Sequence, residues 1–97
     1  MFKIDNGPGG VVLVAGRLDA GQCPTAQSFL DGVKGVVTLD CRALEYISSA
    51  GLGLLLKTQK QLAASSGKLR LVGLNSHLRD IFRYSGFDQI FEIEPAA

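Results

Sequence analysis

The sequence predicts a single α/β domain, in which a mixed β-sheet carries its helices mainly on one face. Short apolar, β-branched segments alternate with amphipathic segments of helical period, and glycine-rich turns separate them. A length of 97 residues suits one compact unit, so we assign residues 1–97 to one domain. A hydrophobic content of 46% supplies a core of its own. The predicted element order is β-β-α-β-α-β-α-β.

The first two strands are predicted at residues 2–4 and 11–15. The turn cluster at 6–10, Asn-Gly-Pro-Gly-Gly, joins them into an antiparallel hairpin. Residues 17–22 follow as a polar loop.

The first helix begins near Cys23, because Pro24 suits a first helical turn where its missing N–H carries no penalty. Gly35 ends the segment. One face carries apolar residues at the spacing i, i+3, i+4, i+7, namely Ala26, Phe29, Leu30 and Val33.

The apolar run at 36–39 predicts the central strand. Residues 40–47 are predicted to form the loop that leaves this strand, the exit loop, with Asp40 as a structural loop residue. Ser48 and Ser49 then open the longest helix, which ends at the Ser-Ser-Gly of 65–67. Its apolar positions are Leu52, Leu55, Leu56, Leu62 and Ala63.

A further strand is predicted at 69–72, and a third helix runs from an N-cap at Asn75 or Ser76 to Gly86. Residues 90–93 form the last strand, and 94–97 read as a frayed tail.

Composition argues against several function classes. Ten Lys and Arg balance nine Asp and Glu, and no basic tract suits nucleic acid. Two cysteines and one histidine are too few for a structural zinc site, so we expect neither metal nor cofactor. No apolar run reaches membrane-spanning length, and we expect a cytoplasmic protein. Cys23 and Cys41 read as inert thiols, and His77 lacks the neighbours of a catalytic triad.

Ser49 stands at a helix start, where free N–H groups and the helix dipole favour a phosphate. Gly51 and Gly53 each cost about 1 kcal/mol relative to Ala in a helix, which suggests that a partner or a neighbouring strand approaches closely. The residues alone favour the simpler interpretation, in which Ser49 is an N-cap and the glycines are packing positions.

Three ordered segments resemble the STAS domain (sulfate transporter and anti-sigma factor antagonist), in its free-standing bacterial anti-sigma factor antagonists. They are Gly-Arg-Leu-Asp at 16–19, Leu-Asp at 39–40 with Tyr-Ile-Ser-Ser-Ala-Gly-Leu-Gly at 46–53, and the apolar and glycine pattern of 73–91.

The resemblance implies that Ser49 is the phosphoacceptor and Gly51 the glycine that follows it in the family's Asp-Ser-Ser-Gly pattern. Ser48 stands where the family often has an acid, which makes it a second candidate acceptor, and Ala50 replaces the second serine. The implied partner-facing residues are Asp19, Ser48, Ser49, Gly51 and Leu52.

The implied function is a binding switch and not an enzyme. The unmodified protein would bind a GHKL-type serine kinase that doubles as an anti-sigma factor, and a serine phosphatase would restore it after phosphorylation. The alternative is a STAS module that binds a nucleotide or another small ligand.

Overall fold

The structure is a computed structural model that describes residues 1–95. Five strands and three helices follow one another in the predicted order. Their bounds are β1 Phe2–Asn6, β2 Val11–Leu18, α1 Cys23–Leu30, β3 Val36–Ile47, α2 Ser49–Ala63, β4 Lys68–Val72, α3 Ser76–Tyr84 and β5 Glu92–Glu94. Of the predicted tail, residues 96 and 97 lie outside the described residues.

The five strands form one sheet in the order β1-β2-β3-β4-β5. β1 pairs with β2 antiparallel, as the predicted hairpin requires, and the other three pairings are parallel. Each helix connects two adjacent parallel strands, and every crossover steps in the same direction across the sheet. Right-handed crossovers therefore place all three helices on one face.

Burial confirms this one-sided arrangement. Leu39 and Leu71 face each other across β3 and β4 and are at most 1% exposed, beneath the helices. On the opposite face, Arg70 forms ion pairs with Glu92 and Glu94 at the surface. The helices contribute Ala26, Leu30, Leu54, Leu55, Leu62, Leu78 and Phe82 to the buried core.

Strands β2 and β3 run further than the sequence predicts. β2 continues to Leu18, so the predicted loop over 17–22 begins only at Asp19. β3 continues to Ile47, so the predicted exit loop over 40–47 is wrong. The pairing skips a β3 residue between Leu13↔Asp40 and Ala15↔Ala43, and another between Gly16↔Leu44 and Arg17↔Tyr46. These bulges break the period of two, which hides the strand in the sequence.

Asp40 is therefore a strand residue and not a structural loop residue. Its side chain is 11% exposed and accepts two-pronged hydrogen bonds from the Arg42 guanidinium, at 3.0 Å from Nε and 2.7 Å from Nη2. Hydrogen bonding to Arg42 lowers the pKa of Asp40 from its ordinary value, although burial opposes that shift.

The last strand also differs from the prediction. A 3-10 turn at Phe87–Gln89 precedes the buried Phe91, and β5 begins only at Glu92. Within residues 1–95, none of the helices has both the length and the apolar character that a membrane crossing requires.

Candidate functional site

Strands β2 and β3 end side by side, and the candidate site lies at their ends. Leu18 and Ile47 are partners in the parallel register, and the Ser48 backbone N–H donates to the Leu18 carbonyl at 2.9 Å. Asp19 and Ser48 therefore leave the sheet at the same edge. Asp19 and the serine pair thus lie at one end of the sheet.

Ser48 is the N-cap of α2. Its backbone is extended (φ −88°, ψ 172°), and its Oγ accepts a hydrogen bond from the Gly51 N–H at 3.1 Å. Its carbonyl accepts from the Leu52 N–H at 2.9 Å, which closes the first helical turn. The reading of Ser49 as the N-cap is thus wrong by one residue, because the chain turns into the helix only after Ser48.

Ser49 is the first residue of α2 and is exposed. Among residues 1–95, no group forms a hydrogen bond with its hydroxyl. The α2 sequence contains no acidic residue, so within the helix nothing opposes a negative charge at its N-terminus. Ser49 thus presents a free hydroxyl to solvent at the positive end of the helix.

The two glycines of α2 have different surroundings. A Cβ on the buried Gly51 would lie 2.8 Å from Ile47 Cγ1 and 2.9 Å from the Leu18 carbonyl oxygen. Gly51 therefore lets the helix approach the ends of β2 and β3. A Cβ on the exposed Gly53 would meet nothing within 4 Å, so packing within the described chain does not require glycine there.

Asp19 is half-buried in the turn between β2 and α1. Its carbonyl accepts hydrogen bonds from the Gln22 N–H at 3.1 Å and from Cys23 Sγ at 3.3 Å. No described residue donates a hydrogen bond to its carboxylate, which leaves that charge available at the site's edge. Leu52, also half-buried, packs its side chain against the core.

An aromatic–cation pair that the sequence analysis missed flanks the site. The Arg17 guanidinium lies 4.3 Å from the centre of the Tyr46 ring. These residues are register partners one position before Leu18 and Ile47. Only the strand register brings them together, since 29 positions separate them in the sequence.

The remaining polar candidates are the two cysteines and His77, of which Cys23 adjoins Asp19. Cys41 is buried, and its pKa is raised to about 12, mainly by burial and to a smaller extent by the negative charge of Asp40. Burial, with a smaller effect from Asp19, also raises the pKa of the half-buried Cys23. His77 is exposed in the first turn of α3. Within residues 1–95, no three His, Cys, Asp or Glu side chains are grouped as metal ligands would be.

A family model described as "Mlab, STAS domain" matches residues 5–93 of the chain. Among curated proteins, the anti-sigma-B factor antagonist of Listeria monocytogenes is 31% identical over 87 residues. That match covers 86% of this chain and 76% of the Listeria protein.

A shorter sequence match is to BtrV of Bordetella bronchiseptica, a protein named provisionally as an anti-sigma factor antagonist. The two are 47% identical over 57 residues, which is 59% of this chain. The matched segment spans about half (49%) of the length of BtrV.

Solved structures with the same fold include the anti-sigma factor antagonist SpoIIAA in its unphosphorylated form. It has a TM-score of 0.79 at 20% identity, covering 100% of this chain and 89% of SpoIIAA. An anti-sigma factor antagonist from Mycobacterium paratuberculosis has a TM-score of 0.79 at 22% identity, covering 99% of this chain and 86% of its own. At these identities, the structural likeness bears on the fold alone.

Proposed function

The chain belongs to the STAS domain family, and we propose that residues 1–97 form one domain that acts as an anti-sigma factor antagonist. In this proposal the unmodified protein binds a GHKL-type serine kinase that doubles as an anti-sigma factor. Phosphorylation of Ser49 releases the partner, and a serine phosphatase reverses the change. The protein is the substrate of these enzymes, acts in the cytoplasm and has no catalytic role of its own.

The exposed, unbonded hydroxyl of Ser49 carries this proposal. A kinase must reach an acceptor hydroxyl, and among residues 1–95 this exposed one has no hydrogen-bond partner. The neighbouring Ser48 satisfies the helix cap instead, so a phosphate on Ser49 leaves the cap of α2 in place.

Phosphorylation would act through charge. A phosphoserine carries about −1.5 to −2 charges at neutral pH, and a helix N-terminus tolerates that charge. A partner docked over Ser49 would have to desolvate it beside the unbonded carboxylate of Asp19. A penalty of about 3 kcal/mol lowers affinity roughly a hundredfold, without unfolding the domain.

Ser48 is the weaker of the two candidate acceptors. Its Oγ already accepts a hydrogen bond from the Gly51 N–H at 3.1 Å and the residue is half-buried, so a kinase would have to displace that hydrogen bond to reach the hydroxyl. In the binding site, we propose that Asp19, Ser49 and Leu52 face the partner. Ser48 and Gly51 would contribute by fixing where α2 begins and how close it lies to the strands.

Two substitutions test the switch. We expect Ser49→Asp to lower the affinity for the partner kinase by about a hundredfold and Ser49→Ala to bind like wild type. The readouts are calorimetry with GHKL-type serine kinases purified from the same organism, and mass spectrometry of the phosphate transferred. Equal binding of Ser49→Asp and wild type, or phosphate transfer that persists in Ser49→Ala, would contradict the mechanism.

A ligand-binding module is the second candidate, and one cavity favours it. A space of about 590 Å³ lies between the C-terminal parts of α1 and α2, within the size range of small-molecule pockets. Its walls combine Leu30 and Leu62 with the polar Lys34 and Gln61. A nucleotide that raises the melting temperature of wild type, and not that of Lys34→Trp at the exposed rim of the cavity, would support this function.

A further inference from the structure

We propose that the outer face of α2 is the docking surface for an amphipathic helix of a partner protein, whose flanks carry acidic residues. This inference rests on the proposed function, because it names the part of the partner that the Ser49 side of the molecule binds. It adds a surface that continues from the first turn of α2 to its last.

Two shallow hollows make this surface continuous. The first, of about 510 Å³, lies between α1 and α2, and its lining includes Ala20, Pro24 and Ala50. The second, of about 520 Å³, extends along α2 to Ala64. Both hollows include Gly53 and Lys57, so they join at the middle of the helix. The 15 residues of α2 span about 22 Å, which is room for a helix of similar length.

The packing of the domain does not explain why position 53, within this surface, is a glycine. A helix-interior glycine costs about 1 kcal/mol relative to alanine, and Gly51 repays that cost by its close approach to β2 and β3. Gly53 has open space beside it and is exposed. A partner backbone that approaches at Gly53 would use the missing side chain, because a glycine lets two helices come closer than a larger residue does.

The charges on this face select the chemistry of the partner. Lys57 and Lys60 project from the middle of α2, and the helix contains no acidic residue to neutralise them. Among the described residues, Lys57 has one long hydrogen bond, to Gln27 at 3.4 Å, and Lys60 forms no ion pair. Lysines without an ion-pair partner, beside the small or apolar Ala50, Gly53 and Leu56 of the two hollows, favour glutamates or aspartates on the flanks of the incoming helix.

The test uses two designed helical peptides of about 14 residues, which place leucine on one face and either glutamate or lysine on its flanks. Titration into the isotope-labelled chain, followed by NMR, reports affinity and location. We expect the glutamate peptide to perturb the amides of residues 50–64 and to bind about tenfold more tightly than the lysine peptide.

Gly53→Leu should then weaken the glutamate peptide by about tenfold, and Lys57→Glu with Lys60→Glu should invert the preference between the peptides. Ala63→Leu is the matched control on the same helix, since Ala63 is exposed and lines neither hollow. Lys3→Glu, on β1, is the control for charge. Gly53→Ala removes doubt about folding, because it should raise stability while it weakens binding.

Equal binding of the two peptides, perturbations centred away from α2, or equal effects of Gly53→Leu and Ala63→Leu would overturn the proposal. The proposal would also be overturned if the chain self-associates and Gly53→Leu abolishes that self-association, because the outer face of α2 would then bind a second copy of the chain. The peptide experiment and the Ser49 experiment fail separately. Selective peptide binding without any Ser49 dependence of kinase capture would sink the switch and leave the docking surface in place.

Discussion

At the scale of single residues, the two serines at the start of α2 divide two roles between them. Ser48 Oγ holds the Gly51 N–H, whereas the Ser49 hydroxyl is unbonded within residues 1–95 and faces solvent. The cap of α2 therefore does not use the Ser49 hydroxyl. This division lets the proposed switch change the charge of the surface without changing the fold.

We predict that Ser48→Ala lowers the free energy of unfolding by about 1 kcal/mol, because it removes the side-chain cap. Ser48→Asp should keep the wild-type stability, since a carboxylate also caps. Ser49→Ala is the matched control and should change stability by less than about 0.5 kcal/mol. Urea denaturation checks this, and a larger loss for Ser49→Ala than for Ser48→Ala would show that the cap is assigned to the wrong serine.

The Asp40–Arg42 pair predicts a pH dependence of stability. The native pKa of Asp40 is lowered, so its ionised form is stabilised on folding, and the pair contributes above the ordinary carboxyl pKa of about 3.9. That contribution is lost as the pH falls through the lowered native pKa. We expect Asp40→Asn to cost about 1 kcal/mol at pH 7 and progressively less below about pH 4.

Chemical denaturation of both proteins between about pH 7 and pH 2 measures this difference. Glu45→Gln is the control, because Glu45 is an exposed carboxylate of the same strand with no ion pair among the described residues. A difference between wild type and Asp40→Asn that stays constant down to the lowest pH would contradict the assignment.

At the scale of elements, α2 combines an inner glycine that the fold requires with an outer one that it does not. Gly51→Ala would push a Cβ to 2.8 Å from Ile47 Cγ1 and should destabilise the domain by about 1–3 kcal/mol. Gly53→Ala should stabilise it by up to about 1 kcal/mol, because the new methyl group meets open space. The melting temperatures of both variants test these expectations. A lower melting temperature for Gly53→Ala than for wild type would contradict the assignment of open space beside Gly53.

At the scale of the whole molecule, the helices cover one face of the sheet and the core lies between. The other face is held by surface ion pairs, among them Lys68–Glu92 at 2.9 Å. Cys41, which is 1% exposed, lies on the covered side, whereas Cys23 is half-buried at the start of α1. Labelling of Cys41 therefore requires the core to open, whereas labelling of Cys23 does not.

Because Cys23 is only half-buried, we restrict the expectation of an inert thiol to Cys41. We predict that a thiol reagent labels Cys23 in the native protein and reaches Cys41 only after global unfolding. Burial and a pKa of about 12 keep Cys41 protonated and covered. The Cys23→Ser variant should then resist labelling until denaturant unfolds the chain, as followed by mass spectrometry. Rapid labelling of that variant under native conditions would show that the core opens locally around β3.

The sequence predicts the order of the elements, the one-sided arrangement of the helices and the start of α2 at the serine pair. These follow from periodicity, caps and the direction of short crossovers, which are local properties. The tertiary structure decided how far β3 runs, because its bulged register against β2 sets the strand's end at Ile47. It also decided which glycine of α2 packs inward and that Arg17 stacks on Tyr46. Those features depend on residues that are distant in the chain, and only the folded sheet brings them into contact.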